Sequence, residues 1–196
     1  MARPREFDID EATQKALEVF WSKGYENASL PDLLDGMEIA RGSFYKAYDS
    51  KKSLFMKVLE IYDQEAVMPA VAILSDAEVP DGWRRIMSFF QLILSGVKNG
   101  DRRGCLVCTT AAGPALHDPE IARAIHSALD KMRGGFEVAL NASPQHANLT
   151  QTERTDLSNT LTMQYVGLRV LARSQAPFGT LKQSISGLTT LNTLPS

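Results

Sequence analysis

At 196 residues the chain suits one domain or two small ones, and 44% apolar content is ordinary for a globular protein with a real core. A formal charge of −2 excludes a uniformly basic nucleic-acid binder, so any such contact has to come from local arrangement. The opening MARPREFDID lacks the apolar stretch of a secretory signal, no apolar run nears the ~20 residues of a bilayer span, and two cysteines make no disulfide framework, so the chain reads as cytoplasmic with no membrane partner.

Nearly every segment carries helical period, and no strand pattern or internal repeat stands out. Ile9, Ala12, Ala16, Leu17 and Phe20 recur at helical spacing, and Gly24 is placed to stop that helix. Ser29 is an N-cap for a second helix, with Pro31 and Asp32 in its first turn and Leu30, Leu33, Leu34 and Met37 on its apolar face. A short turn over 38–40 leads to a third helix, Arg41 to Tyr48. Arg41, Ser43, Tyr45, Lys46 and Tyr48 crowd into it, followed by Lys51 and Lys52, and Asp49 alone opposes the four cations of residues 41–52. Guanidinium, ammonium and hydroxyl groups are the donors that grip phosphate oxygens and read base edges. A helix-turn-helix delivers such a set by laying its second helix in the major groove. Arg3 and Arg5, ahead of the first helix, add positive charge to the same unit.

Ser50 caps a fourth helix with Leu54, Phe55, Val58, Leu59 and Tyr62 on its buried stripe, and Pro69 is expected to kink or end it. Residues 75–82 read as a linker. Trp83 to Val97 is apolar around most of its circumference, which predicts a central helix. A short, small-residue-rich segment runs from Cys105 to Leu116. Asp118-Pro119-Glu120 starts a helix to about Leu140, and 141–149 reads as a loop. Thr150 and Glu153 form a capping box for a helix to about Ala176, and a last helix follows Pro177. The expectation is an all-α chain of about nine helices.

The order of these parts resembles the TetR family of bacterial transcriptional regulators. The likeness is dense over residues 7–60, where FWSKGYENAS closes the first helix and GSFYKAYDSKKSLF opens the long fourth one. Phe20, Gly24, Tyr25, Leu33, Ile39, Gly42, Phe44, Tyr45, Tyr48, Lys51 and Leu54 stand where the family pattern places those residue types. Three positions depart: Ala28 where Thr is frequent, Glu38 for the turn Gly, and Ala40 for a capping Ser or Thr. The resemblance implies a helix-turn-helix domain over 1–50 and a helical ligand-binding and dimerisation domain over 51–196. It implies a homodimer on double-stranded operator DNA, most often a repressor released by a small-molecule inducer. DNA contacts are expected from Arg41, Gly42, Ser43, Tyr45, Lys46 and Lys51, with Ser29, Arg3 and Arg5 beside them; Tyr48 is expected in the core. The last two helices are expected to pair between subunits through Leu161, Tyr165, Leu168, Leu181, Ile185 and Leu188. The pocket is expected between the central helix and its neighbours, with Trp83, Met87, Phe90 and Met163 as candidate lining and Cys105, followed by Cys108, at its edge.

Cys105 and Cys108 form a Cys-x-x-Cys at a helix start, on one face and within reach of each other. Three readings stay open. Both pack in the core as free cysteines commonly do; or Arg102, Arg103 and the helix start lower the Cys105 pKa and make a thiol sensor; or the pair binds a metal, though His117, His126 and His146 show no ligand spacing with it. A thiol oxidoreductase is the enzyme alternative, and it lacks the strand-helix alternation that motif normally occupies. A helical ligand-binding protein without DNA binding is the other. No Gly-rich phosphate loop, Ser/His/Asp constellation or metal signature is legible, so neither catalysis nor a cofactor is expected.

Overall fold

Capping residues set the first two helices of the computed structural model, which describes residues 8–191 and the side chains through Leu188. Asp8 accepts the Asp10 and Glu11 amides at the start of α1 (Ile9–Lys23), and Gly24, at φ 82°, closes it with its N–H on the Phe20 carbonyl. At α2 (Leu30–Met37) the Ser29 hydroxyl takes the Asp32 amide while the Asp32 carboxylate takes the Ser29 amide, a reciprocal capping box. Glu38 occupies the left-handed turn at φ 57°, ψ 38°. Ala40 then opens α3 (Arg41–Tyr48) with no side-chain cap. Phe20, Leu33, Phe44 and Tyr48 close a small core among these helices.

The fourth helix does not end at Pro69. α4 (Lys51–Tyr62), a π turn over Asp63–Val67 and α5 (Met68–Ser75) make one continuous helical rod. A proline ring would strike the carbonyl four residues back. The π turn avoids this by widening the helix one turn earlier, where the Met68 amide bonds to the Asp63 carbonyl.

The larger part follows: α6 (Gly82–Lys98), α7 (Leu106–Ala111), α8 (Pro119–Asn141), α9 (Gln151–Arg173) and α10 (Phe178–Leu191). With 51–75 counted as one rod, the described residues hold nine helices and no strand. Residues 141–149, expected as a plain loop, contain a 3-10 turn (Pro144–His146) whose buried His146 bonds to Ser143 and packs on the Trp83 ring at 5.0 Å. Phe89, Phe90, Phe136 and Tyr165 interlock at centroid distances of 5.5–5.9 Å, tying α6, α8 and α9 together.

The six residues expected at a subunit interface are instead the core of the single chain. Leu161, Tyr165, Leu168, Leu181, Ile185 and Leu188 are all buried within it. Period alone shows that α9 has two apolar faces but not which of them its own subunit covers. The outward face carries Met163, 71% exposed, and Leu171, 44% exposed, with Val166, Gly167 and Val170 half-buried between them. No helix among the described residues is long and apolar enough to cross a membrane.

Candidate nucleic-acid interface

α3 is held from one side only. Phe44 and Tyr48, one turn apart, are fully buried; the Tyr48 hydroxyl shares a 2.9 Å bond with Thr13 and donates to the Ile9 carbonyl at 3.0 Å. Those anchors leave Arg41, Gly42, Tyr45 and Lys46 on the opposite, exposed side, with Ser43 at the margin. Tyr45 is 47% exposed and braced edge-on against Phe44 at 5.3 Å. A Cβ at Gly42 would meet nothing within 4 Å, so that turn of backbone is open to a close approach. The face therefore offers a guanidinium, an ammonium and a phenol, and no carboxylate from the helix itself, a set suited to phosphates and base edges.

The other expected contacts divide. The Ser29 hydroxyl is engaged in its capping box. Lys51 is half-buried, with its ammonium 4.7 Å over the Tyr25 ring and 3.4 Å from the Glu26 carbonyl; burial lowers its pKa. Arg3 and Arg5 lie outside the described residues.

The head is tied to the helical part at two places. Lys52 pairs with Asp118 and Glu120 at 2.8 Å each, and the Glu26 carboxylate accepts the Ala115 amide at 2.9 Å. At the end of α1, Arg103 stacks on Trp21 at 3.8 Å and bonds to Glu18 at 2.8 Å. The Trp21 indole donates to the Gly104 carbonyl at 3.2 Å, and Arg173 donates to the carbonyls of Trp21, Ser22 and Arg103 at 2.8 Å each.

A cavity of about 530 Å³ opens between α4, the π turn, α7 and α8. Met56, Leu59, Val107, Ala124 and Ala128 give it apolar walls, and Lys131, 2.6 Å from Asp63, stands with Glu60 and Gln64 at its polar side. Trp83, Met87, Phe90 and Met163, expected as lining, and Cys105 and Cys108, expected at the edge, do not line it: Phe90 and both cysteines are buried and Met163 faces outward. Apolar pattern marks a side chain as inside or outside, not as bordering a void.

Cys105 and Cys108 are both buried. The Tyr165 hydroxyl donates to the Cys105 sulfur at 3.3 Å, and the Tyr62 hydroxyl accepts the amide of the next residue, Leu106, at 3.3 Å. Burial raises the Cys105 pKa, but the Cys108 thiol, the Arg169 charge and the two phenols outweigh it and hold the thiol well below its ordinary range. Cys108 is pushed up by the same contact with Cys105 and by burial. The groups named from sequence do not act here. Arg102 bonds to the Ala176 carbonyl, Arg103 faces Asp101 and Glu18, and no cap bond runs from the Cys105 sulfur. Tyr62 and Arg169, 43 residues before and 64 after Cys105, carry no local signal that would have found them. Among the described residues no three His, Cys, Asp or Glu side chains converge as a ligand set.

Residues 13–58 match the model of the tetR family of bacterial regulatory proteins. An uncharacterized HTH-type transcriptional regulator, YezE of Bacillus subtilis (strain 168), is 28% identical over 94% of this chain and 96% of its own length. The HTH-type transcriptional repressor BdcR of Escherichia coli (strain K12) is 31% identical over 60% of this chain and 58% of its own. Among solved structures, a cysteine variant of the TetR family regulator CifR, complexed with 26-bp operator DNA, superposes at a TM-score of 0.82 with 27% identity, covering 98% of this chain and all of that one. Reduced NemR of E. coli shares the fold at 0.78 with 19% identity, covering 92% of this chain and 94% of that one.

Proposed function

The chain belongs to the TetR family of bacterial DNA-binding transcriptional regulators, and from that premise we propose that it is a repressor, not an enzyme, acting as a homodimer on a palindromic operator in the cytoplasm. The observation that carries the reading is the one-sided anchoring of α3, which buries Phe44 and Tyr48 and leaves Arg41, Gly42, Tyr45 and Lys46 free to enter a major groove. Residues 1–50 form the reading head and 51–196 the signal-receiving and dimerising part. Like BdcR, the protein represses.

The second copy docks on the outward face of α9. Met163, Val166, Val170 and Leu171 make an apolar stripe there, with Gly167 allowing close approach. A two-fold pair of heads then reads two half-sites about one helical turn apart. The release signal is a small molecule with an apolar body in the cavity between α4 and α8, or a modification of Cys105 and Cys108. Either site touches the α4–α5 rod, and α4 begins at the head with Lys51 and Lys52. Selection of binding sites from random duplexes tests the reading. Recovery of a two-fold symmetric sequence supports it, and recovery of no enriched sequence contradicts it.

A further inference from the structure

Gly104 is where three parts of the molecule meet. Its carbonyl accepts a bond from the Arg169 guanidinium and one from the Trp21 indole of α1. Its backbone is left-handed at φ 76°, and a Cβ there would come within 2.9 Å of the Arg169 carbonyl and 3.1 Å of Arg173. Only glycine fits. The next residue is Cys105.

We propose that Cys105 and Cys108 are a dithiol–disulfide switch for a small peroxide, and that closing the disulfide shifts Gly104 and releases the DNA-binding head through Trp21. This rests on the reading of the chain as a regulator released by a signal. Cys105 and Cys108 stand three residues apart, about one helical turn, and both are fully enclosed, Cys105 at 1% exposure, with the Tyr165 hydroxyl 3.3 Å from the Cys105 sulfur. Enclosure favours a reagent of hydrogen peroxide's size over bulky electrophiles. The cavity reaches α7 at Val107, between the two cysteines in sequence. Arg169 supplies the counter-charge for a Cys105 thiolate, and its Nε is buried without a hydrogen-bond partner. The phenols of Tyr62 and Tyr165 stay protonated, pushed up first by burial and then by Cys105, so both remain donors to that sulfur.

The chemistry balances. The Cys105 thiolate attacks one peroxide oxygen and the O–O bond breaks. Cys105 becomes a sulfenic acid, oxidised by two electrons, and hydroxide leaves and takes up a proton to become water. The Cys108 sulfur then attacks the sulfenic sulfur. Its thiol proton leaves with the sulfenic hydroxyl as a second water, and the S–S bond forms. One peroxide is reduced to two waters and one dithiol is oxidised. The new bond pulls Cys105 toward α7, away from Arg169. Gly104 is the residue directly joined to it, so the Trp21 and Arg169 bonds to its carbonyl are the first to be disturbed.

The test follows intact mass, tryptophan emission in a Trp83→Phe background and affinity for the selected operator, before and after hydrogen peroxide and then after dithiothreitol. In the wild type an intramolecular disulfide forms, Trp21 emission shifts and affinity falls about tenfold or more, the scale of an ordinary coupling between sites. All three revert on reduction. Cys108→Ser stops at a sulfenic acid, read as one added oxygen in the intact mass, and Cys105→Ser does not react. In the wild type the oxidation rate stays nearly flat from about pH 6 to pH 8, where an ordinary thiol of pKa about 8.5 gains roughly tenfold per unit. Because that profile needs no variant, a misfolded cysteine substitution cannot obscure the result. A thiol that survives peroxide, or a disulfide that leaves both Trp21 emission and affinity unchanged, overturns the switch. Failure of the reduced protein to bind any operator overturns the regulator reading instead, while mass and emission still decide the chemistry.

Discussion

Tyr45 and Tyr48 lie three residues apart on one helix and serve opposite ends: one phenol faces out and the other closes the core of the head. Removing the Tyr48 hydroxyl leaves Thr13 and the Ile9 carbonyl short of a partner, so Tyr48→Phe is expected to cost about 1 kcal/mol in denaturant unfolding while DNA affinity per folded molecule holds. Arg41→Ala is expected to relax base preference at one position by about 1–3 kcal/mol if the guanidinium reads a base edge, checked by competition among single-base operator variants. Lys51 and Lys46 differ in the same way as the tyrosines. Lys51→Ala strips a cation from the Tyr25 ring and a donor from Glu26, so it is expected to lower the melting temperature as well as affinity, whereas Lys46→Ala lowers affinity alone. At this scale the sequence was legible for the exposed face of α3, because alternating donor-rich and aromatic positions at helical spacing sort themselves. It was not legible for Lys51, whose partners lie 25 and 26 residues away.

The helices themselves were the most readable level, since caps are local chemistry. Ser29 with Asp32 and Thr150 with Glu153 form the capping boxes their spacing announces. Ser29→Ala is expected to destabilise the head by about 1 kcal/mol, and Ala40→Ser to stabilise it by a similar amount by giving α3 the cap it lacks; thermal unfolding of each variant checks the signs. Asp32 is held well below the usual carboxylate range by bonds from Lys23 and Ser29. Its contribution is therefore present above the unfolded value of about 3.9 and is lost as pH falls through the folded value. Asp32→Asn should weaken the protein at pH 7, with the deficit closing in strong acid. The π turn was not legible. Pro69 signals a conflict in the helix, but whether the chain breaks, kinks or widens depends on what Tyr62 and Asp63 reach across to, namely the Leu106 amide and Lys131.

For the whole molecule, the helical plan followed from periodicity, while its cavity and its free face did not, because both are defined by which neighbours are missing. Leu168→Arg and Leu188→Arg, natural choices from sequence for splitting a dimer, put a charge into a single-chain core and are expected to unfold it. Met163→Arg with Leu171→Arg is expected to yield folded monomers with poor operator affinity, checked by sedimentation and circular dichroism. Head and helical part are joined by charged and hydrogen-bonded contacts at Lys52, Glu26, Trp21 and Arg173, a junction that a signal can shift without opening either core. The central claim is that the outer face of α3 holds DNA. Operator affinity measured by fluorescence anisotropy across a salt series, for wild type and for Tyr45→Ala with Lys46→Ala, tests it most directly. The expected result is a steep loss of wild-type affinity with salt, a weaker double variant, and a log–log slope shallower by about one unit for the lost Lys46 phosphate contact. Equal affinities and equal slopes, with both proteins folded, would contradict it.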